Sequence, residues 1–523
     1  MQYKKIVSAL ALSGFISSPI IALANDSDEL ESLRALVQQL DQKVKVLERK
    51  DEINEETTIA KKKDTPVVKA SEKGFSFESA DGKNIIKLRG LLQADYRSFQ
   101  NGSNDVRNRT NSRAGNLDTN GFRDANDSGL LRRVRPIVEG TLLGKYDFRF
   151  TPDYGNGNTQ IFDAYIDARL DPAFKIRAGK YKPFVGLERI QSAADIKFVE
   201  RSYVSNNILP NRDVGISVYG DVLGEKLNYA FGVNNGVVDG GNNSSGSEFD
   251  SNKEFTARLF ATPFKDDANA LSGLGFGIAG TITNTDGERN LNFTDTSAAD
   301  ATRNGLPSYV TNGQQTLFRY NSATVADGRR TRIAPQANYY YGPLGLIAEY
   351  ARVSQDVSLS TGGSASAGGA GTNTLITPNT NKQLNHNAWQ IAASYLITGE
   401  DASFKGVKPT HDFDIDAGGW GAWELVARYS ELNLDDDTFK NKAGTSYSAN
   451  NYADLSTSAK SAKSWTAGVN WYLNQNAKVA LNYEHTRFEG GAGIGLIPIN
   501  AAGSNVRDRE DENALLARLQ LAF

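Results

Sequence analysis

Residue types that support several common kinds of protein chemistry are missing or scarce in this sequence of 523 residues. Cysteine is absent, which excludes a disulfide framework and a thiolate metal site. The three histidines, His386, His411 and His485, lie far apart, and none belongs to a nucleophile elbow or a metal-spaced pair. We therefore expect no cofactor and no metal.

Long apolar runs are also missing after the N-terminus, where none reaches the roughly 20 residues that a membrane helix needs. The exception, residues 6–23, follows Lys4 and Lys5 and leads into the cleavage-type triplet Ala22-Leu23-Ala24. We predict a signal peptide over residues 1–24, because polar residues interrupt the run and weaken a membrane anchor. The net charge of −3 indicates no nucleic-acid partner. It says nothing about an anionic ligand, which depends on where the positive side chains lie.

A different pattern occupies residues 25–56. Apolar residues recur in steps of three and four between polar ones, at Leu30, Leu33, Val37, Leu40, Val44 and Leu47. Such a seam predicts a short periplasmic coiled coil, although a lone amphipathic helix against a barrel wall stays open. Residues 57–74 are predicted as a charged linker, and residues 75–523 as the main domain.

The main domain is built on alternation, most clearly from Leu130 to Leu170. Val134, Pro136 and Val138 alternate with Arg133, Arg135 and Ile137, and two similar runs follow. Strands place alternate side chains on opposite faces, so each run has an apolar face and a charged face. This pattern predicts an all-β fold, a transmembrane antiparallel barrel, whose apolar faces contact lipid and whose charged faces line a water-filled interior. A soluble all-β domain, with its apolar face packed on a second sheet, is the alternative.

Further alternating segments bring the expected total to about 16 strands. They centre on Ile86, Phe174–Tyr181, Ile216, Tyr229, Leu259, Phe276, Tyr339, Ala348, Ile391, Leu425, Val469 and Leu481, and end with Asn513–Phe523. Tight turns alternate with long polar loops, as in bacterial outer-membrane barrels. Residues 183–213 break the alternation, and their mixture of apolar and basic residues predicts a loop folded back into the lumen.

By its motifs the sequence resembles the phosphate-selective porins O and P over residues 75–523. The blocks that carry the resemblance are Ile86–Leu88, Leu92–Tyr96, Arg132-Arg133, Lys145-Tyr146, Phe162-Asp163, Gly186–Glu188, Glu200-Arg201, Leu396–Glu400, Gly421–Leu425 and Gly468–Tyr472. The resemblance implies a homotrimer of barrels in the outer membrane of a Gram-negative cell, in contact with its lipids.

The resemblance also implies a site. An anion pathway would begin at Arg132 and Arg133, to which Arg135 adds charge. Because neighbours on a strand face opposite ways, both arginines reach the lumen if Arg132 lies at the start of its strand. A constriction would follow, made by Lys145, Asp163, Arg189, Ser192 and Arg201. The sequence departs from the family pattern at Leu91, Arg189, Ala193 and Asn385.

The resulting expectation is passive diffusion of anions, most of all phosphate or related oxyanions such as pyrophosphate and polyphosphate. A general, weakly anion-selective porin is the alternative. Two other classes stay open: a hydrolase with catalytic side chains on the barrel wall, and a structural barrel whose coiled coil tethers it to the cell wall.

Overall fold

The computed structural model describes residues 26–72, 74–100, 127–157, 159–242, 250–287, 304–361, 375–376, 380–440, 451–494 and 506–523. The predicted signal peptide lies outside these ranges. The chain divides into two units, Met1–Thr65 and Pro66–Phe523.

The described part of the first unit is one helix, α1, Asp26–Asp64. It runs past residue 56 into the stretch predicted as a linker, so the first half of that stretch is helical, and Val67–Ser71 is a strand. Residues 57–64 contain neither glycine nor proline, and Pro66 restricts the residue before it, which places the helix end there. Leu33, Val37 and Leu40 are more than half exposed in the single chain, and the coiled coil stays a prediction. No helix in the described ranges is long and apolar enough to cross a membrane.

The second unit consists almost entirely of strands. In chain order these are β1 (Val67–Ser71), β2 (Gly74–Glu78), β3 (Ile85–Gln100), β4 (Ser128–Leu142), β5 (Tyr146–Asp153), β6 (Gln160–Asp171), β7 (Phe174–Tyr181), β8 (Asp213–Val222), β9 (Leu227–Asn234), β10 (Glu254–Ala261), β11 (Leu274–Asp286), β12 (Ser308–Val310), β13 (Thr316–Arg319), β14 (Thr324–Tyr341), β15 (Leu344–Thr361), β16 (Leu375–Ile376), β17 (Lys382–Leu396), β18 (Ala422–Asn433), β19 (Ala459–Tyr472), β20 (Ala477–Ile494), β21 (Val506–Asp508) and β22 (Glu512–Ala522).

Sixteen of these strands close into an antiparallel barrel. The barrel strands are β3 to β11, β14, β15, β17 to β20, and β22. Each pairs with the next along the chain, and β22 pairs with β3 to complete the ring. The predicted fold class and strand number are therefore confirmed. β1 and β2 form a hairpin that extends the sheet beside β3.

The alternation in the sequence explains which face each residue takes. On β3, Leu88 and Leu92 are exposed on the outer face, whereas Gln93 and Asp95 are buried on the inner face. An apolar outer face suits lipid, and a polar interior suits a channel. The short turns lie at one end, as between β4 and β5, where Leu143 (φ 53°) and Gly144 (φ 70°) adopt the left-handed conformation of a tight turn.

The connection between β7 and β8, residues 182–212, leaves the wall and is called the inserted segment below. It contains a short helix, α2, Leu187–Ile190. A second excursion, the hairpin of β12 and β13, joins it through the Val310 amide, which donates to Asn207 Oδ1 at 2.9 Å. On the turn side, the connection between β17 and β18 also reaches the inserted segment, where Gln191 Nε2 donates to the Phe404 carbonyl at 2.6 Å.

Candidate functional site

The inserted segment is anchored to several parts of the barrel wall. Its Val199 amide donates to Asn482 Oδ1 on β20 at 2.7 Å, and its Leu187 amide donates to Glu349 Oε1 on β15 at 2.6 Å. Gln93 on β3 donates to the Ala193 carbonyl at 3.0 Å. Since these anchors come from strands in different parts of the ring, the segment crosses the lumen, as the sequence predicted for residues 183–213.

The first predicted pathway residues, Arg132 and Arg133, both point into the lumen although they are neighbours on β4. The register shifts where Gln93 faces Arg133 and Ala94 faces Leu131, so Arg132 occupies a β-bulge. Arg132 Nε donates to Glu200 Oε1 at 2.6 Å, and Arg133 Nη1 donates to Gln93 Oε1 at 2.6 Å. Arg132 does not lie at the start of its strand, since β4 begins at Ser128; the bulge turns its side chain inward instead.

A second bulge organises the next part of the wall. Phe162, expected on the apolar face of β6, lies at the register shift between Asp163 and Ile161 and is buried in the lumen. The guanidinium groups of Arg135 and Arg212 lie over its ring, at 4.1 and 4.0 Å from the centroid. Arg135 pairs with Asp153 at 2.8 Å, and Arg212 pairs with the predicted constriction carboxylate, Asp163, at 3.0 Å.

The predicted constriction arginines of the inserted segment, Arg189 and Arg201, are buried, and neither has a carboxylate partner among the described residues. Arg201 donates to two backbone carbonyls, those of Glu188 (3.2 Å) and Gln191 (2.8 Å). Lys182 donates to the same Gln191 carbonyl at 2.8 Å, so the two charges are neighbours. Within the described part of the chain, Arg189 Nε and Nη2 have no hydrogen-bond partner. This local surplus of positive charge provides N–H groups that can donate hydrogen bonds to an oxyanion.

The pKa values of these groups follow their surroundings. Removal from water, followed by the nearby charges of Arg201 and Arg212, holds the pKa of Lys182 and of Arg189 well below the ordinary lysine and arginine values. Burial likewise lowers the pKa of Arg201 to about 10. A bound anion would oppose all three shifts, because a nearby negative charge favours the charged form of a lysine or an arginine.

Lys145 and Ser192 differ from the other predicted site residues. The prediction that Lys145 lies on an inward strand position is wrong, since it is exposed in the turn before β5. The left-handed Leu143 and Gly144 reverse the chain before Lys145, so the alternation of β5 begins only at Tyr146. Ser192 is exposed to the lumen, and its hydroxyl accepts a hydrogen bond from the Ala194 amide at 3.3 Å.

Two sets of lumen cations can now be distinguished. In the "paired wall" each cation contacts a carboxylate: Arg89 and Arg149 with Glu139, Arg169 with Asp147, Lys175 with Asp221, and Arg177 with Asp167. In the "cation belt" around the inserted segment, no cation has a carboxylate oxygen within 4.0 Å among the described residues. The belt consists of Arg133, Lys182, Arg189, Arg201 and Lys478.

Sequence reasoning missed several residues of this arrangement. Lys478 of β20 reaches the inserted segment and donates to the Ile196 carbonyl at 2.9 Å. Glu200, fully enclosed, accepts hydrogen bonds from Arg97 and Arg132 and thereby fastens the inserted segment to β3 and β4. The sequence pointed to Glu200 only through the Glu200-Arg201 block of the family resemblance. For Lys478 the only signal in the sequence was an inward strand position. For Arg212 it was a place at the end of the inserted segment.

Below the inserted segment, on the turn side, lies a cavity of about 1090 Å³. Lys182, Arg135 and Arg212 line it together with Ser192 and Asp163. Among the described residues, no group of three or more histidines and carboxylates could hold a metal ion. A closed barrel with a polar lumen, crossed by a segment rich in unpaired cations, is the architecture of an outer-membrane porin that conducts anions.

Comparison with known proteins agrees with this class. The model of the family described as phosphate-selective porin O and P matches residues 86–523, and the chain belongs to that family. It is 23% identical to porin O of Pseudomonas aeruginosa over 432 residues, which cover 78% of this chain and 84% of porin O. The family and the fold are those of channel proteins.

Similar solved structures include the outer-membrane channel DcaP of Acinetobacter baumannii, with 12% identity and a TM-score of 0.47 over 87% of this chain and 99% of that chain. Another is the anion-selective porin from Comamonas acidovorans, with 12% identity and a TM-score of 0.44 over 84% of this chain and all of that chain.

Proposed function

We propose that this porin favours phosphate and related oxyanions over chloride, and that the cation belt makes the choice. The observation that supports the proposal most strongly is Arg189, which is buried with two guanidinium nitrogens unpartnered in the described structure. A hydrogen bond that involves a charged group contributes about 1.5–3 kcal/mol, part of which offsets the dehydration of the ion. A tetrahedral oxyanion accepts several such bonds at once, whereas chloride presents a single centre.

The mechanism is electrostatic. The belt lowers the barrier for anion entry, and its donors replace part of the lost hydration shell. Asp163 and Glu188 lie among these cations and moderate the positive potential, which keeps binding weak enough for release. Cofactors have no role in such passive diffusion, and we propose no catalytic activity for the barrel.

Single-channel recording tests the proposal. Chloride current through the purified porin in a planar bilayer should fall as phosphate is added, because phosphate occupies the belt and blocks chloride. Pyrophosphate should block as well, since it presents more acceptor oxygens. Equal passage of chloride and phosphate without block would leave the alternative, a general and weakly anion-selective porin. Leu91, which lines the cavity, and Ala193 favour that alternative, since neither provides a donor side chain.

We further propose a homotrimer with α1 in the periplasm, where a coiled coil between subunits would cover Leu33, Val37 and Leu40. One of the similar structures, OmpT of Vibrio cholerae, is described as a trimer form. Replacing the three residues by serine should abolish helix pairing and leave a heat-modifiable barrel trimer on gels. Dissociation of that trimer would instead make the helix the device that holds the subunits together.

A further inference from the structure

A patch of four aromatic side chains lies on the lumen side of β6, β7 and β8 and on the start of the inserted segment. This aromatic patch consists of Tyr165, Tyr181, Phe184 and Tyr219. Neighbouring rings are in contact, with centroids 6.5 Å apart for Tyr165 and Tyr181, 6.3 Å for Tyr181 and Phe184, and 4.9 Å for Phe184 and Tyr219. Tyr181 is fully buried between its neighbours, so the open ring surface of the patch belongs to Tyr165, Phe184 and Tyr219.

Arg177 lies against the patch, but its charge is already neutralised. Its guanidinium carbon is 4.1 Å from the Tyr165 ring centroid and 5.3 Å from that of Phe184. Asp167 accepts two hydrogen bonds from it, at 2.8 and 2.7 Å. An anion beside the rings therefore finds little net charge at Arg177, and its negative group is directed toward other cations.

Those cations stand close by in the same cavity. Tyr165 and Phe184 line it, and so do Lys182 and Arg212. Arg212 is paired with Asp163, whereas Lys182 has no carboxylate oxygen within 4.0 Å among the described residues. Lys182 precedes Phe184 by two residues and is half-buried, with its ammonium group held by the Gln191 carbonyl. Cationic groups and ring surface are thus presented side by side to whatever enters from the turn end.

The rings also have a structural role, since Phe184 packs the inserted segment against β8. That role does not require open ring surface, yet Tyr165, Phe184 and Tyr219 are each only partly buried. A hydrated inorganic anion gains nothing from them, because the face of an aromatic ring carries partial negative charge. An organic anion with a flat apolar body gains both from the rings and from the cations.

We propose that this cavity binds aromatic carboxylates, with the carboxylate toward Lys182 and the ring against Phe184 and Tyr165. The inference rests on the anion conduction of the proposed function and extends its substrate class beyond inorganic oxyanions. The cavity volume of about 1090 Å³ is ample for a small organic ligand.

Benzoate and acetate carry the same charge and differ by the ring, so they are the matched probes. Block of chloride current by benzoate in a planar bilayer should be several-fold stronger than block by acetate. Phe184→Leu should reduce the block by benzoate nearly to the level of the block by acetate, and it should leave the block by phosphate unchanged. Phe198→Leu is the control, because Phe198 is on the same segment but is buried under Arg428.

Equal block by the two carboxylates in the unmodified porin would overturn the inference, as would a benzoate preference that survives Phe184→Leu. If Phe184→Leu does not yield a heat-modifiable barrel, Tyr165→Leu answers the same question. Benzoate preference without any phosphate block would refute the oxyanion preference alone, whereas phosphate block without benzoate preference would refute the aromatic site alone.

Discussion

The paired wall and the cation belt contain similar residues and offer very different environments to an anion. Arg177 of the wall has both oxygens of Asp167 as acceptors, whereas Arg189 of the belt is buried with two unpartnered nitrogens in the described structure. A paired cation adds little net potential, since the carboxylate beside it cancels its field beyond short range. Counting arginines in a lumen therefore indicates less about selectivity than finding which of them lack a counter-charge.

The largest effect should come from neutralising two belt cations together. The double variant Lys182→Gln and Arg189→Gln removes two cationic donors that have no carboxylate partner among the described residues. Half-block of the chloride current should then require roughly tenfold more phosphate, which corresponds to about 1.4 kcal/mol of binding free energy. The matched control is Arg149→Gln with Arg177→Gln in the paired wall, measured by the same titration. A larger loss in the control would reverse the assignment of the two regions.

Thermal stability should distinguish a buried charge that has a counter-charge from one that has none. Glu200→Gln removes the carboxylate that fastens the inserted segment. Among the described residues this leaves Arg132 without an anionic partner and Arg97 with only the longer contact to Asp95, at 3.8 Å. Breaking a buried pair typically costs about 3–5 kcal/mol. The temperature at which the folded band is lost on gels should therefore fall. Arg189→Gln removes an uncompensated charge and should leave that temperature equal or higher; a comparable drop in Arg189→Gln would indicate a hidden partner.

The smallest effect concerns pH. Because its pKa is depressed, Lys182 loses its proton at lower pH than an ordinary lysine, whose pKa is about 10.4. Anion preference should therefore decline as the pH rises through the range in which Lys182 loses its proton. Reversal potentials across a KCl gradient at a series of pH values measure this decline. Lys182→Arg should flatten the profile, and an unchanged decline in that variant would exclude Lys182 as the titrating group.

The sequence predicted the architecture well because a barrel needs little beyond alternation. Each strand has to place apolar residues toward lipid and polar residues inward, so the period of two in segments such as that around Ile216 locates the wall. The same rule failed where the backbone departs from it. The bulges at Arg132 and Phe162 turn an extra side chain inward, and the turn at Leu143 removes Lys145 from the lumen.

Which lumen cations have a carboxylate partner could not be predicted from the sequence. Arg177 lies at an inward strand position and Arg189 in the inserted segment. Nothing in the neighbouring sequence reveals that Asp167 pairs with Arg177, whereas Arg189 has no carboxylate oxygen within 4.0 Å among the described residues. That distinction depends on register across strands and on where the inserted segment is anchored. The functional roles of the predicted site residues stay predictions that the variants above address.

The central claim is that uncompensated cations at the inserted segment, rather than cations of the wall, set the ion preference. The most direct measurement is the reversal potential in a KCl gradient for two single variants, Arg189→Gln and Arg177→Gln, compared with the unmodified porin. We predict that Arg189→Gln shifts the potential toward cation preference and that Arg177→Gln leaves it nearly unchanged. A shift confined to Arg177→Gln, or equal shifts in both, would contradict the claim.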